Sequence, residues 1–190
     1  MLASQRGRIL AAVAESVAEH GFARVTVADV IARAGVSRET FYEQFSDKEE
    51  AFLAALDAGA DGLLEILGAA IALPASDPLE RLDRMLKAYL TTLAAEPSFA
   101  KAFLIDAYGA GAEATARRID LQQRFVEVIT RMLEVDLDDA SDRFACEALV
   151  AAVSSLVTSR IGTGRARQLP ELREPLIELA RRLSLDKARA

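Results

Sequence analysis

Side chains able to move protons or attack a substrate are scarce in this chain. Its 190 residues hold one His, His20, and one Cys, Cys146. A zinc site, a disulfide framework or a Cys–His dyad with a His to spare all need more than that. Gly162-Thr163-Gly164 lacks the later glycine of a phosphate loop, and there is no Gly-x-Ser-x-Gly elbow. No enzyme activity, metal or cofactor is expected, although a site built from carboxylates alone stays open. The sequence offers instead groups suited to holding anions. Thr26 and Ser37 stand where helices begin, and free N–H groups in a first turn can meet phosphate oxygens. Taken singly, either residue reads first as a plain helix cap. Lys48 falls in the first turn of a helix, where a cation opposes the dipole, so it reads better as a phosphate clamp than as a helix stabiliser.

Helices must position these groups. Ala (37) and Leu (25) make up about a third of the chain, and long β-branched or aromatic runs are missing. With 52% hydrophobic and 27% charged residues, the chain is neither disordered nor fibrous. The spacing predicts an all-α protein of about nine helices. The first covers 4–20, with Ile9, Val13 and Val17 on one stripe and Gly21 as the left-handed stop. Thr26 with Asp29 forms a capping box for a short helix ending at Ala34-Gly35. Ser37 then caps another over 38–45. Helix, tight glycine turn, helix is the helix-turn-helix pattern. Phe41 and Phe45, four apart, form its packing side, with Arg38, Glu39, Tyr42 and Glu43 projecting elsewhere. Phe22 and Phe52 read as core, His20 as a surface residue and Cys146 as a small buried one.

Ser46-Asp47-Lys48-Glu49 reads as a capping box opening a long helix. Asp77-Pro78 opens the next, and further helices are expected over 98–108 and 113–133. The last two, over 144–161 and about 171–183, are apolar beyond the needs of one face. Leu149, Val153, Leu156 and Val157, with Leu172, Leu176, Leu179 and Leu183, are therefore expected at an interface with a second copy. The uncharged stretches 66–76 and 148–159 are short for a bilayer, and the first residues show no signal-peptide pattern, so a cytoplasmic protein without a membrane partner is expected.

Net charge is −6, and residues 1–50 alone carry −2. Contact with nucleic acid must come from a few placed cations and from helix N-termini, not from a broad positive field.

Residues 6–56 nevertheless resemble the N-terminal domain of the TetR/AcrR family of bacterial transcription regulators. Three strings carry the resemblance: Arg8-Ile-Leu-Ala-Ala with Glu19-His-Gly-Phe, then Thr26-Val-Ala-Asp-Val-Ile-Ala-Arg-Ala-Gly-Val-Ser, then Thr40-Phe-Tyr-Glu-Gln-Phe-Ser-Asp-Lys-Glu-Glu-Ala-Phe. The resemblance implies a helix-turn-helix DNA-binding domain over 1–46 and a helical effector-binding and dimerisation domain over 47–190. It puts Thr26, Ser37, Tyr42 and Lys48 against backbone phosphates. Arg38, Glu39, Thr40 and Gln44 then face bases, where Arg38 suits guanine, Gln44 adenine and Thr40 a thymine methyl. Glu39 and Glu43 depart from the family's commoner small or basic residues. The resemblance also implies an effector cavity in the bundle, with Met85, Tyr89, Thr92, Phe103, Asp106, Tyr108, Arg118, Gln122 and Phe125 as candidate lining.

The function expected is a ligand-responsive regulator, a repressor, that binds a palindromic double-stranded operator as a homodimer. Its two recognition helices would lie about 34–36 Å apart, and an unknown small molecule would be the effector. The alternative is an all-α ligand-binding or adaptor protein that has lost DNA binding, which the acidic N-terminal fifty residues would suit.

Overall fold

The computed structural model describes residues 4–75, 77–133 and 138–185, and the side chains of these except 131, 132, 184 and 185. All regular structure among the described residues is helical: α1 (Gln5–His20), α2 (Val27–Ala34), α3 (Arg38–Gln44), α4 (Lys48–Ala72), α5 (Pro78–Ala95), α6 (Pro97–Leu104), α7 (Ala112–Met132), α8 (Ala140–Gly162) and α9 (Arg173–Leu185). Short 3₁₀ turns cover Phe22–Arg24, Asp106–Gly109 and Ala166–Leu172.

Local chemistry sets most of these boundaries. Ser4 caps α1 through its hydroxyl, which accepts from the Gly7 N–H at 3.1 Å. Gly35 ends α2 with φ +62°, the left-handed conformation that glycine adopts without steric cost. The Asp77 carboxylate accepts from the Glu80 N–H at 2.8 Å, and Pro78 opens α5.

Four details differ from the sequence reading. The cap of α4 is shifted by one residue: Asp47 accepts from the Glu50 N–H at 2.8 Å, while the Glu50 carboxylate reaches back to the Ser46 N–H at 2.6 Å. α6 stops at Leu104 instead of 108, and a 3₁₀ turn follows in which Asp106 faces Lys101 at 3.3 Å. α8 starts four residues before 144, because Asp139 caps it by accepting from the Ser141 and Asp142 N–H groups. The stretch 166–172 is a 3₁₀ turn, so α9 begins at Arg173, with Pro175 tolerated in its first turn.

The chain packs as two compact units. One comprises Met1–Gly62 and Glu96–Ile119. In it α1 packs on α2, α3 and α6 around Ile9, Val13, Val17, Val30, Phe41, Phe45 and Phe52. The Lys101 ammonium on α6 donates to the Ala18 carbonyl of α1. The other comprises Leu63–Ala95 and Asp120–Ala190. There α5, α8, α9 and the turn 166–172 enclose Leu82, Leu86, Leu90, Leu149, Val157, Leu169 and Leu176. Arg173 pairs with Asp83 across that core.

The interface expectation needs correction here. Leu149, Val153, Val157, Leu172 and Leu176 are all buried within the second unit, where α9 packs on α5 and α8 packs on α9 and the turn 166–172. Leu156 stays 42% exposed, and Leu179 and Leu183 are half-buried. α8 as a whole is long and apolar enough to cross a membrane by length and composition, which 148–159 alone was not. A third of the apolar stretch of α8 is buried within the unit, while Phe144 is 71% exposed.

Candidate nucleic-acid interface

The site is built on α2, the turn at Gly35, and α3. Thr26 caps α2 in a reciprocal arrangement: its hydroxyl accepts from the Asp29 N–H at 3.3 Å, and the Asp29 carboxylate accepts from the Thr26 N–H at 2.8 Å. The Thr26 hydroxyl also donates to the Asp29 carboxylate at 2.7 Å, and this bond, with that from the Thr26 N–H, holds the Asp29 carboxyl below the ordinary range. Ser37 caps α3, its hydroxyl accepting from the Thr40 N–H at 3.0 Å and lying 2.9 Å from the Thr40 hydroxyl. Both caps are made, and both side chains remain exposed. Capping and an outward contact are therefore compatible.

α3 is amphipathic over only seven residues. Phe41 is fully buried, and Phe45, just past the helix, packs on it with ring centres 5.9 Å apart. Arg38, Glu39, Tyr42 and Glu43 are exposed, while Thr40 and Gln44 are half-buried. Tyr42 sets its edge on Phe41 at 5.4 Å and carries the Arg38 guanidinium 5.5 Å over its ring. This contact restrains a long cation at the start of α3 without neutralising it. Glu39 lies in the first turn, where a carboxylate favours the helix dipole, so it has a structural role whatever α3 faces.

Lys48 behaves differently from a free clamp. Its ammonium donates to the carbonyls of Phe22 at 2.9 Å and Val25 at 2.8 Å, and lies 4.6 Å from the centre of the Phe22 ring. Two of its three donors thus tie the start of α4 to the connector leading into Thr26. Other cations of the segment are also engaged. Arg33 pairs with Glu15 at 3.5 Å and with Glu19, whose carboxyl this guanidinium holds below the ordinary range. Arg24 donates to the His20 carbonyl at 2.6 Å. Sequence reading missed the Arg33 pairings, which join residues 14 and 18 apart on different helices and leave no local pattern.

The effector candidates divide between the two units. In the second unit, Met85 and Tyr89 are buried and Thr92, Gln122 and Phe125 are half-buried. Tyr89 and Phe125 meet edge to face at 5.5 Å. In the first, Phe103 and Arg118 are buried, with the guanidinium 5.9 Å from the ring centre. Burial raises the Asp106 carboxyl above its ordinary value, while Lys101 opposes the shift. Tyr108 is 55% exposed. Cys146 is buried, and burial pushes its thiol up, which disfavours the reactive thiolate. The first unit also carries a cleft of about 430 Å³ that the sequence did not suggest, lined by Asp47, Glu49, Glu50, Asp57, Glu113 and Arg117 with Leu53 and Ala54.

Residues 9–55 match the family model described as bacterial regulatory proteins, tetR family. No curated protein matches the chain by sequence. Among solved structures, the fatty acid degradation regulator FadR of Bacillus halodurans shares the fold at TM-score 0.81 and 18% identity, over 95% of this chain and 96% of that one. FadR of Bacillus subtilis, solved with stearoyl-CoA, aligns at TM-score 0.78 and 19% identity over 91% and 96%. A transcriptional regulator from Rhodococcus sp. RHA1 aligns at TM-score 0.78 and 24% identity over 97% of each chain. The fold of those proteins is thus the fold of this one nearly end to end. The segment that carries α2, the Gly35 turn and α3 is the segment similar to the tetR family of bacterial regulatory proteins.

Proposed function

We propose that the protein is a cytoplasmic, ligand-responsive repressor that binds a palindromic operator as a homodimer. Residues 1–46 serve as the DNA-binding domain, with α3 as recognition helix, and 47–190 as the effector and dimerisation domain. One observation carries this reading. α3 buries Phe41 completely while Arg38, Glu39 and Tyr42 stay outside, the division of faces a helix needs to enter a major groove. Arg38, Thr40 and Gln44, with Glu39 where a cytosine amino group is presented, read base edges. Thr26, Ser37, Tyr42 and the remaining N–H of Lys48 hold phosphates. The dimer forms through the surface that Leu156, Leu179 and Leu183 leave accessible. The stearoyl-CoA complex of FadR from Bacillus subtilis, a protein of this fold, supports a ligand-responsive reading. Here the region around Tyr89 and Phe125, with Met85, Thr92 and Gln122, is the place proposed for a small-molecule effector. Such a molecule shifts operator affinity only by its preference between two conformers, typically about 1–3 kcal/mol.

Selection of bound sequences from random duplexes, followed by titration against salt, tests the reading. A defined half-site pair and a steep salt dependence are expected. Arg38→Ala should cost on the order of 1–3 kcal/mol and relax preference at one base pair per half-site. Failure of the unmodified protein to enrich any sequence or to bind duplex DNA at low salt defeats it. A second reading, an effector-binding protein without DNA binding, draws on the internal engagement of Arg24, Arg33 and Lys48. The same titration separates the two.

A further inference from the structure

Six cations lie in the first fifty residues: Arg6, Arg8, Arg24, Arg33, Arg38 and Lys48. Arg24 and Lys48 are tied to backbone carbonyls, and Arg33 to two glutamates. Arg6, Arg8 and Arg38 are left without an ion pair among the described residues, and Arg6 is the one whose position is fixed against the recognition helix from another element. Its guanidinium lies 4.5 Å from the centre of the Phe45 ring, and its side chain is exposed. Phe45 is the residue that ends α3, and it is itself buried. Arg6 and Arg38 therefore bracket α3, one at each end.

Length gives this bracket a meaning. Seven residues at 1.5 Å each make α3 about 10 Å long, and the major groove is about 12 Å wide between its phosphate walls. A helix that just spans the groove brings its last turn close to one wall. A planar guanidinium parked there, with its stem and ring contact already ordered, is suited to a bidentate bond to a phosphate. The Glu50 carboxyl is held below its ordinary range by the Ser46 N–H and hydroxyl that donate to it, with a smaller part from the Arg6 charge, and it forms no ion pair with Arg6. We propose that Arg6, held on Phe45 at the C-terminal end of α3, is a DNA-backbone contact that binds a phosphate group of the duplex. The proposal rests on the DNA-binding reading above and adds to it a residue from outside the helix-turn-helix.

The test compares full-length wild type, Arg6→Met, Arg6→Lys and Arg8→Ala on the selected operator and on unrelated duplex, from low to moderate salt. Methionine keeps an unbranched apolar stem on Phe45 without the charge. Arg8, two residues away, lies off the face of α1 that Arg6 occupies and serves as a charge-matched comparison. Arg6→Met should make the plot of log affinity against log salt shallower by about 1.8 for the dimer, about 0.9 for each of the two phosphates that its two copies of Arg6 neutralise. The change should be equal on operator and unrelated DNA, with Arg6→Lys near wild type and Arg8→Ala clearly less affected. An unchanged slope in Arg6→Met, even with a lower melting temperature, overturns the proposal and leaves Arg6 a helix-end stabiliser. Equal slopes for Arg6→Met and Arg8→Ala also overturn it, since they mean diffuse charge and not a contact. If wild type binds neither duplex, the DNA-binding reading falls and takes this proposal with it. If wild type binds and Arg6→Met matches it, only the proposal falls.

Discussion

Lys48 shows how one side chain can answer two demands. Its ammonium commits two donors to the Phe22 and Val25 carbonyls, which lie just ahead of the Thr26 cap. Lys48→Met should therefore lower stability in the absence of any DNA, by roughly 1.5–3 kcal/mol, the range for hydrogen bonds to a charged group. Urea denaturation of the free protein checks this, and an unchanged midpoint would show the bonds to be incidental. Asp106 makes a different prediction. Burial raises its carboxyl above the ordinary value, so the folded state holds this proton more tightly than the unfolded state does. Its contribution to stability must fall as pH rises from the ordinary aspartate range through the raised value. Asp106→Asn should flatten that portion of a plot of unfolding midpoint against pH.

At the scale of elements, the packing of α6 on α4 depends on a missing side chain. A Cβ added to Gly59 would stand 1.8 Å from the Phe99 ring, which is itself stacked on Phe103 with centres 5.8 Å apart. Gly59 thus sits in mid-helix, about 1 kcal/mol worse than alanine in propensity, because the ring lies directly on the α4 backbone. Gly59→Ala should consequently destabilise by about 1–3 kcal/mol despite its better propensity. In a Phe99→Ala background the same change should be neutral or stabilising. A double-mutant cycle by denaturant unfolding measures the difference, and additive effects would contradict this packing.

For the whole molecule, the decisive quantity is what α8 and α9 leave for a partner. Five of the eight residues that the apolar stripes placed at an interface are buried in the core of the second unit. Leu156 is the largest accessible member on α8 of the set that remains, at 42% exposed. Leu156→Glu should leave the fold intact, shift the sedimentation profile from dimer to monomer, and weaken operator binding, since two half-sites need two linked recognition helices. A monomeric wild type, or a variant that sediments unchanged, would remove this surface from the proposed interface.

The order of elements and the helix-turn-helix were legible in the residues themselves. Caps at Thr26 and Ser37, the left-handed stop at Gly35 and the i, i+4 phenylalanines act within one or two turns, so local chemistry states them outright. What each apolar stripe covers was not legible, because period 3.6 gives the direction of a face along its own helix and says nothing of its neighbour. The same limit hid the engagement of Lys48 and Arg33 and the seat of Arg6 on Phe45. Those pairings join residues that are distant in sequence and take no fixed spacing. Only the packing of α1, α2 and α3 on one another decided which charges of this acidic chain remain outside.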